Sequence, residues 1–262
     1  MKAIKHFYEL YTYREVFYSL VLRDIKVRYK QSFFGAAWAI MQPFSMMLVF
    51  TIVFSYFLKV PSDNIPYPLF SYSALLPWTF FVSSINKAAP SLVANRDLIT
   101  KIYFPREILP IAAVAASFFD FCMASLVFIA LLIFFKVKIG IFFVLIFVPF
   151  FIQILLTFGI AFFVSSINVY YRDIGYLVPL LIQIWMFASP IMYSISSVPQ
   201  KVKPFYLLNP MAGIIDSYRK FTIFNRPPDY YSLGVAFLVS LFIFVIGYLI
   251  FKKIEKEFAD FI

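Results

Sequence analysis

Residues 139–169, which read IGIFFVLIFVPFFIQILLTFGIAFFVSSINV, contain no charged side chain. An unbroken apolar run of about 18 residues or more is typical of a helix that crosses a membrane, because about 20 helical residues span the hydrocarbon layer. Every backbone N–H and C=O group in lipid must be bonded inside the protein, and a helix meets that requirement by itself. This stretch therefore predicts an α-helical membrane protein.

Five further apolar runs lie to either side of this one, at residues 33–58, 69–85, 108–135, 174–193 and 232–251, and the second of them has an alternative end near residue 94. The whole chain is 63% hydrophobic and 14% charged, with a mean hydropathy of +0.86, which lies far from the composition of a soluble domain. The runs are continuous, whereas a β-barrel needs alternating segments of about 10 residues. We therefore expect an all-α membrane protein with six transmembrane helices.

The distribution of Lys and Arg predicts the orientation of these helices. If both termini lie on one side, that side carries 14 basic residues and the other side carries 8. Five of those 8 fall in the single segment 194–231. Because cytoplasmic loops carry the excess of Lys and Arg, both termini are expected in the cytoplasm. Most of the net charge of +10 then anchors loops, which excludes nucleic acid as the expected partner.

Two segments differ from the spans and divide the chain. Residues 1–32 form a cytoplasmic segment in which apolar side chains recur at helical spacing over 5–30, as in an amphipathic helix at the membrane interface. Residues 33–262 form the six-span domain. Within it, residues 194–231 carry five prolines around the apolar stretch FYLLNPMAGII, which is too short to span. This stretch predicts an external re-entrant or interfacial helix.

Several classes of function are excluded because the sequence lacks the residues that they require. Cys122 and His6 are the single cysteine and histidine, so no disulfide and no Cys/His metal centre can form within one chain. No two of the seven glycines are closer than 13 positions, so neither a P-loop nor a dinucleotide fingerprint exists. No acid–base pair of an intramembrane enzyme is visible. Uphill transport would need an ion gradient or a partner that hydrolyses ATP.

Asp120 is the charged residue that lies clearly inside a predicted span. An intramembrane carboxylate often contacts an ion or a substrate, but it can also form a structural ion pair between helices, for instance with Lys87. The second interpretation is favoured because no other acidic group accompanies Asp120. The aromatic content of 22% has two interpretations as well: interfacial belts, or rings that line a passage for sugars.

The stretch NVYYRDI places Arg172 and Asp173 between two apolar runs on the expected cytoplasmic face. These charges could simply mark a membrane boundary, with the tyrosines at headgroup level. The same face carries two more segments of mixed charge, at residues 23–30 and 95–107. Three such elements on one face suit the docking of a soluble protein, whose rim contacts are polar.

Four segments resemble a known family in order and spacing. They are LRDIKVRYKQSFFGAAWAIMQP at 22–43, NRDLITKIYFPREILP at 95–110, NVYYRDI at 168–174 and LLNPM at 207–211. They are similar to the permease subunits of bacterial polysaccharide exporters, which belong to the type 2 ABC transporters. The resemblance covers nearly the whole chain, but such short motifs do not define the cargo.

The resemblance implies a homodimeric channel in the bacterial cytoplasmic (inner) membrane, with two copies of a separate ATPase subunit on its cytoplasmic face. ATP and Mg would bind to that partner, and this chain would hold no cofactor and no metal. The cargo would be a lipid-linked polysaccharide such as O antigen, capsule or teichoic acid. The external helices between spans five and six would form a gate that includes Asn209 and Pro210. The implied residues for docking and coupling are Arg23, Asp24, Arg28, Tyr29, Asp97, Lys101, Arg106, Glu107, Arg172 and Asp173.

Other residues are candidates for lining the channel. Large aromatic residues lie in the spans or at their ends, and we expect some of them to face the passage: Trp38, Tyr56, Trp78, Trp185, Phe187 and Tyr193. Two rival functions remain at this stage. A type 2 ABC permease for a drug or small lipid would share the fold, and an ion-coupled secondary transporter would depend on Asp120 without any ATPase.

Overall fold

The computed structural model describes residues 11–30 and 32–258, and this part of the chain is helical without a β-strand. The helices are α1 Arg14–Tyr29, α2 Trp38–Phe50, α3 Tyr67–Ala88, α4 Ser91–Ala94, α5 Arg96–Lys101, α6 Ile108–Phe134, α7 Phe147–Tyr170, α8 Ile174–Phe187, α9 Lys203–Tyr206, α10 Pro210–Arg219 and α11 Tyr230–Ile254. The all-α prediction is confirmed. The predicted N-terminal segment contains a helix, α1, whereas residues 1–10 and 31 of that segment lie outside the described residues.

Within residues 11–30 and 32–258, four helical segments are long and apolar enough to cross a membrane. They are Gly35–Phe57, Ile108–Phe134, Ile141–Tyr170 and Tyr230–Ile254. The first joins α2 to a short 3₁₀ turn before it and a π-helical stretch after it. These segments agree closely with four of the six predicted runs, which identifies a multi-pass membrane protein.

Helix α3 covers the second predicted span and lies in the middle of the bundle. Most of its side chains are buried, including Ser71, Ser73 and Ser84. Tyr72 donates its hydroxyl to the carbonyl of Ala124 in α6 at 2.9 Å. Ser71 and Ser73 donate their hydroxyls to carbonyls one turn earlier in α3. A helix surrounded by protein can carry such polar side chains, so its apolar character is weaker than that of a lipid-facing helix.

Two helix ends differ from the sequence prediction. Helix α3 stops at Ala88, and the short α4 follows Pro90, which has no N–H group to continue the helix. The run 174–193 is helical only to Phe187, so this predicted span is too long. Pro190 disfavours helical geometry at the residue before it, and Ser189 bonds the carbonyl of Trp185 through its hydroxyl at 2.9 Å.

The basic segments meet at one end of the bundle, which we call the α1 end. It contains α1, α4, α5, the turn between α7 and α8, and the last turns of α11. Buried apolar side chains join these elements, among them Leu20, Leu92, Phe162 and Phe251. The opposite α10 end contains α9 and α10. This grouping agrees with the predicted placement of the basic segments on one side.

Helices α7 and α11 cross in close contact at a pair of glycines. A Cβ atom on Gly247 would lie 2.1 Å from the carbonyl oxygen of Gly159. A Cβ atom on Gly159 would lie 2.6 Å from the backbone of Phe244. Small residues let membrane helices approach closely and gain dispersion contacts. Nearer the start of α11, helix α10 also packs closely, because Gly213 faces Ser232 and Ala236.

Candidate functional site

A cavity of 550 Å³ lies among α2, α3, α6 and α8 and is bordered by the end of α1. Trp38 and Trp78 supply flat aromatic surface to its wall, and Gln42 and Gln183 supply amide groups. Pro43, Pro77 and Pro179 lie inside the neighbouring helices α2, α3 and α8. A concave site with apolar walls and a few polar groups is typical of a place where a ligand binds.

Four side chains join in a polar cluster beside this cavity. Arg28 forms an ion pair with Asp120, and the hydroxyl of Tyr29 donates to the other oxygen of that carboxylate. The Lys87 Nζ atom lies 3.0 Å from Asp120 Oδ2 and 2.9 Å from the hydroxyl oxygen of Ser117. The pair of Asp120 with Lys87 is the interhelical contact that the sequence suggested. Arg28 and Tyr29, which we expected in the docking set, point into the bundle toward Asp120.

The predicted channel aromatics separate into three groups. Trp38 and Trp78 line the cavity, and Trp185 packs edge-on against Trp78 with ring centroids 6.4 Å apart. Tyr56 lies beyond the cavity at the far end of the first span, where 76% of it is exposed. The remaining two aromatics lie at the α10 end: the Tyr193 hydroxyl donates to the carbonyl of Phe187 at 3.1 Å.

The predicted docking residues also divide. Asp97 and Lys101 form an exposed ion pair of 3.6 Å on α5, and Arg172 and Asp173 are exposed in the turn after α7. Arg23 bonds to its neighbour Asp24 and reaches Asn95 at 2.7 Å.

Arg106 and Glu107 face the last helix instead of the surface. The Arg106 guanidinium donates a hydrogen bond to the backbone carbonyl of Glu255. The buried Glu107 forms an ion pair of 2.6 Å with Lys252. These two residues therefore tie the start of α6 to α11.

A second groove, of 510 Å³, lies at the α1 end between α1 and the turn that joins α3 to α5. Its wall contains Arg23, Asp24 and Asn95 together with the apolar Leu20 and Leu109. Arg28 and Lys87 border both this groove and the larger cavity. The polar cluster thus separates the two spaces.

Asn209 connects the end of α8 with the start of α10. Its Oδ1 atom accepts hydrogen bonds from Trp185 Nε1 at 2.9 Å and from the backbone N–H of Met211 at 3.0 Å. Its Nδ2 atom donates to the carbonyl of Ala188 at 2.9 Å and to the hydroxyl of Ser189 at 3.0 Å. All the bonds that this side chain can readily make are formed, so it holds the α10 end in one geometry.

The structure adds a buried cation that the sequence analysis counted as a loop charge. Arg219, at the end of α10, is buried, and its guanidinium lies 3.6 Å above the ring of Phe70. It also donates to the carbonyls of Phe70 at 3.3 Å and Ile191 at 3.1 Å. Burial lowers the pKa of Arg219 to about 10, so it keeps its charge at neutral pH. Asp216 one turn earlier, which pairs with Lys220, was the available sequence signal for a folded helix here.

The fold and this site define a multi-pass membrane protein with an internal cavity, which is the architecture of a transporter. The chain matches the ABC-2 type transporter family over residues 15–223. It therefore belongs to that family, as the four sequence motifs indicated.

Several relatives match over most of their length. The O-antigen export system permease protein RfbA of Myxococcus xanthus is 32% identical over 255 residues, which cover 96% of this chain and 97% of that protein. The protein of the same name from Klebsiella pneumoniae is 30% identical over 91% of both chains. The polysialic acid transport protein KpsM of Escherichia coli is 25% identical over 86% of this chain and 89% of its own length.

Proposed function

We propose that this chain is the membrane-spanning permease subunit of an ABC exporter that moves a polysaccharide across the bacterial cytoplasmic membrane. The observation that carries this proposal is the similarity over nearly the full length to permeases named for O-antigen export. The cavity supports it, because Trp38 offers an exposed ring on which a sugar can stack while Gln42 and Gln183 offer hydrogen bonds.

The cargo in this proposal is a lipid-linked polysaccharide such as O antigen, capsule or teichoic acid. It would move along the cavity toward the α10 end. There α9 and α10 would form the external gate, with Asn209 and Pro210 at the start of α10. The four bonds of Asn209 would set the position of this gate relative to α8.

Energy would come from a separate ATPase subunit that binds ATP and Mg, since the glycine spacing of this chain provides no P-loop. Two copies of the permease and two of the ATPase would form the complex, with six spans in each permease and both termini in the cytoplasm. The α1 end would then face the ATPase. Its exposed charges at Asp97, Lys101, Arg172 and Asp173 are suited to such a contact.

Reconstitution tests this function. The purified permease and its cognate ATPase, placed together in vesicles, should hydrolyse ATP faster when the lipid-linked glycan is present and should move the glycan across the bilayer. The permease alone should do neither. Transport against a gradient by the permease alone would contradict the proposal, and stimulation by a small lipid or drug but not by the glycan would assign the cargo to another class.

A further inference from the structure

The cavity and the groove share a wall built from Arg28, Asn86 and Lys87. The groove lies at the α1 end, where the lipid-linked substrate would be loaded in the proposed export. The cavity continues from there into the bundle. A substrate group that passes from one space to the other must therefore pass these three side chains.

The charges at this wall do not balance. Arg28 and Lys87 both pair with the single carboxylate of Asp120, so two basic side chains share one acidic partner. The neighbouring Arg23 and Asp24 pair with each other and neutralise their own charges. Attraction for an anion is stronger here than at a water-exposed surface, because the surroundings are apolar and screen less.

The two cations also remain accessible. The side chains of Arg28 and Lys87 are 28% and 25% exposed, so neither is sealed inside the protein. Asn86 adds an amide donor on the same wall, and Tyr29, on the cavity side, donates its hydroxyl to Asp120. Guanidinium, ammonium, amide and hydroxyl groups together are the donors that bind phosphate oxygens, and a guanidinium can engage two oxygens at once.

We infer that Arg28 and Lys87 form a binding site for the phosphate or pyrophosphate group through which the glycan is attached to its lipid. This inference rests on the proposed export function. Asp120 is the internal competitor, because it occupies the same two cations that the ligand would use. The carboxylate holds the cations in place, and an incoming anion with more charge displaces it.

Binding to the purified permease–ATPase complex tests the site. The complex is placed in phosphatidylcholine nanodiscs, and binding of a polyprenyl pyrophosphate is measured by native mass spectrometry. Arg28→Gln and Lys87→Gln should each weaken binding about tenfold, because each removes a charged donor. Asp120→Asn should tighten binding about tenfold, because it removes the competitor. Arg96→Gln, which changes an exposed arginine at the same end, is the matched control and should bind as the unaltered protein does.

The opposite signs separate a binding site from a structural cluster. If the cluster only holds helices together, Asp120→Asn should weaken binding together with both cation variants, and that result would overturn the inference. Unchanged binding in Arg28→Gln and Lys87→Gln would overturn it as well. Arg28→Lys retains the charge and should lose less affinity than Arg28→Gln, which guards against a variant that merely misfolds.

Two further probes identify the source of the phosphate. Inorganic pyrophosphate that competes with the polyprenyl pyrophosphate would support recognition of the phosphate group itself. Phosphatidylglycerol that competes equally well would support the site but assign it to membrane phospholipid. Export distinguishes the two proposals: undiminished glycan export by Arg28→Gln together with Lys87→Gln would reject this site and leave the exporter intact, whereas absence of export by the unaltered complex would reject the exporter.

Discussion

The indole N–H of Trp185 lies 2.9 Å from the side-chain oxygen of Asn209, and this bond ties the last turn of α8 to the start of α10. Asn209→Ala removes it together with the three other bonds of the amide. We expect a loss of about 1–3 kcal/mol in stability, because the indole N–H of Trp185 and the backbone N–H of the buried Met211 lose their acceptor. Thermal unfolding in detergent measures this loss, and Gln200→Ala, an exposed amide of the same region, is the control. Equal unfolding temperatures for both variants would contradict the role of Asn209.

The crossing of α7 and α11 depends on the absence of side chains at two positions. In Gly247→Ala the new methyl group would overlap the carbonyl of Gly159, so the helices must separate. We expect destabilisation of about 1–3 kcal/mol. Gly234→Ala is the matched control in the same helix, since a Cβ there meets nothing within 4 Å, and it should be neutral or slightly stabilising. Unfolding temperatures that coincide for the two variants would reject this packing.

The buried guanidinium of Arg219 stabilises the α10 end. Arg219→Ala removes two bonds to carbonyls and the contact with the ring of Phe70, and we expect a loss of about 2 kcal/mol. Arg219→Lys should recover part of it, because an ammonium keeps the charge but not the planar fork. Arg226→Ala, at an exposed arginine nearby, should have little effect. A loss of the same size in Arg226→Ala would show that net charge, not this site, is responsible.

The pH dependence of the Arg219 contribution follows from its burial. The pKa of Arg219 falls from its ordinary 12.5 to about 10 in the folded protein. Both states are protonated below about pH 9, so the difference between Arg219→Met and the unaltered protein should stay constant from about pH 6 to about pH 9. Above the folded pKa the unfolded state binds more protons, and the stability of the unaltered protein should rise relative to the variant. A difference that changes across the neutral range would contradict the assignment.

The cavity aromatics should matter for export more than the aromatics outside it. Trp38 lines the cavity and is 49% exposed, so Trp38→Ala removes surface for stacking without leaving a hole in a packed core. We expect glycan export to fall about tenfold. A flat ring stacked on an aromatic side chain, as a nucleic-acid base does, contributes on the order of 1–3 kcal/mol, and we expect a sugar ring on Trp38 to contribute similarly. Tyr56→Ala, outside the cavity, is the control. Full export by a correctly folded Trp38→Ala would remove Trp38 from the pathway.

The exposed turn after α7 should contribute to coupling with the ATPase. Arg172→Glu reverses a charge at the α1 end, and we expect ATPase copurification and glycan-stimulated hydrolysis to fall about tenfold while membrane insertion stays unchanged. Arg226→Glu reverses an exposed charge elsewhere and serves as the control. Equal losses of insertion and coupling in Arg172→Glu would instead indicate a role in topology.

Much of the fold was predictable because the dominant signal is local. Uncharged runs such as 139–169 and 232–251 predict spans by length alone, and the structure confirms them as Ile141–Tyr170 and Tyr230–Ile254. The end of α8 was harder to predict from the sequence, because residues 188–193 are apolar enough to continue a helix. The proline and the bonds from Asn209 decide where it stops.

The site was only partly predictable, because its members come from distant parts of the chain. The sequence singled out Asp120 and Lys87, but it placed Arg28 and Tyr29 in a surface docking set. It counted Arg219 among the loop charges of residues 194–231, although the spacing of Asp216 and Lys220 is typical of a helix. Neither set of contacts could be derived from spacing, because burial of a side chain depends on which helix packs against it.

The sequence by itself determined that this protein is helical and crosses the membrane several times, and that its glycine spacing matches neither a P-loop nor a dinucleotide fingerprint. Each of these properties depends on residues that are near one another in the chain. The tertiary structure alone decided which charges meet. Arg28, Lys87 and Asp120 are separated by more than 30 positions from one another and converge only because α1, α3 and α6 pack together. The low dielectric inside the bundle strengthens the ion pairs between these side chains, and the ion pairs hold the cluster beside the cavity.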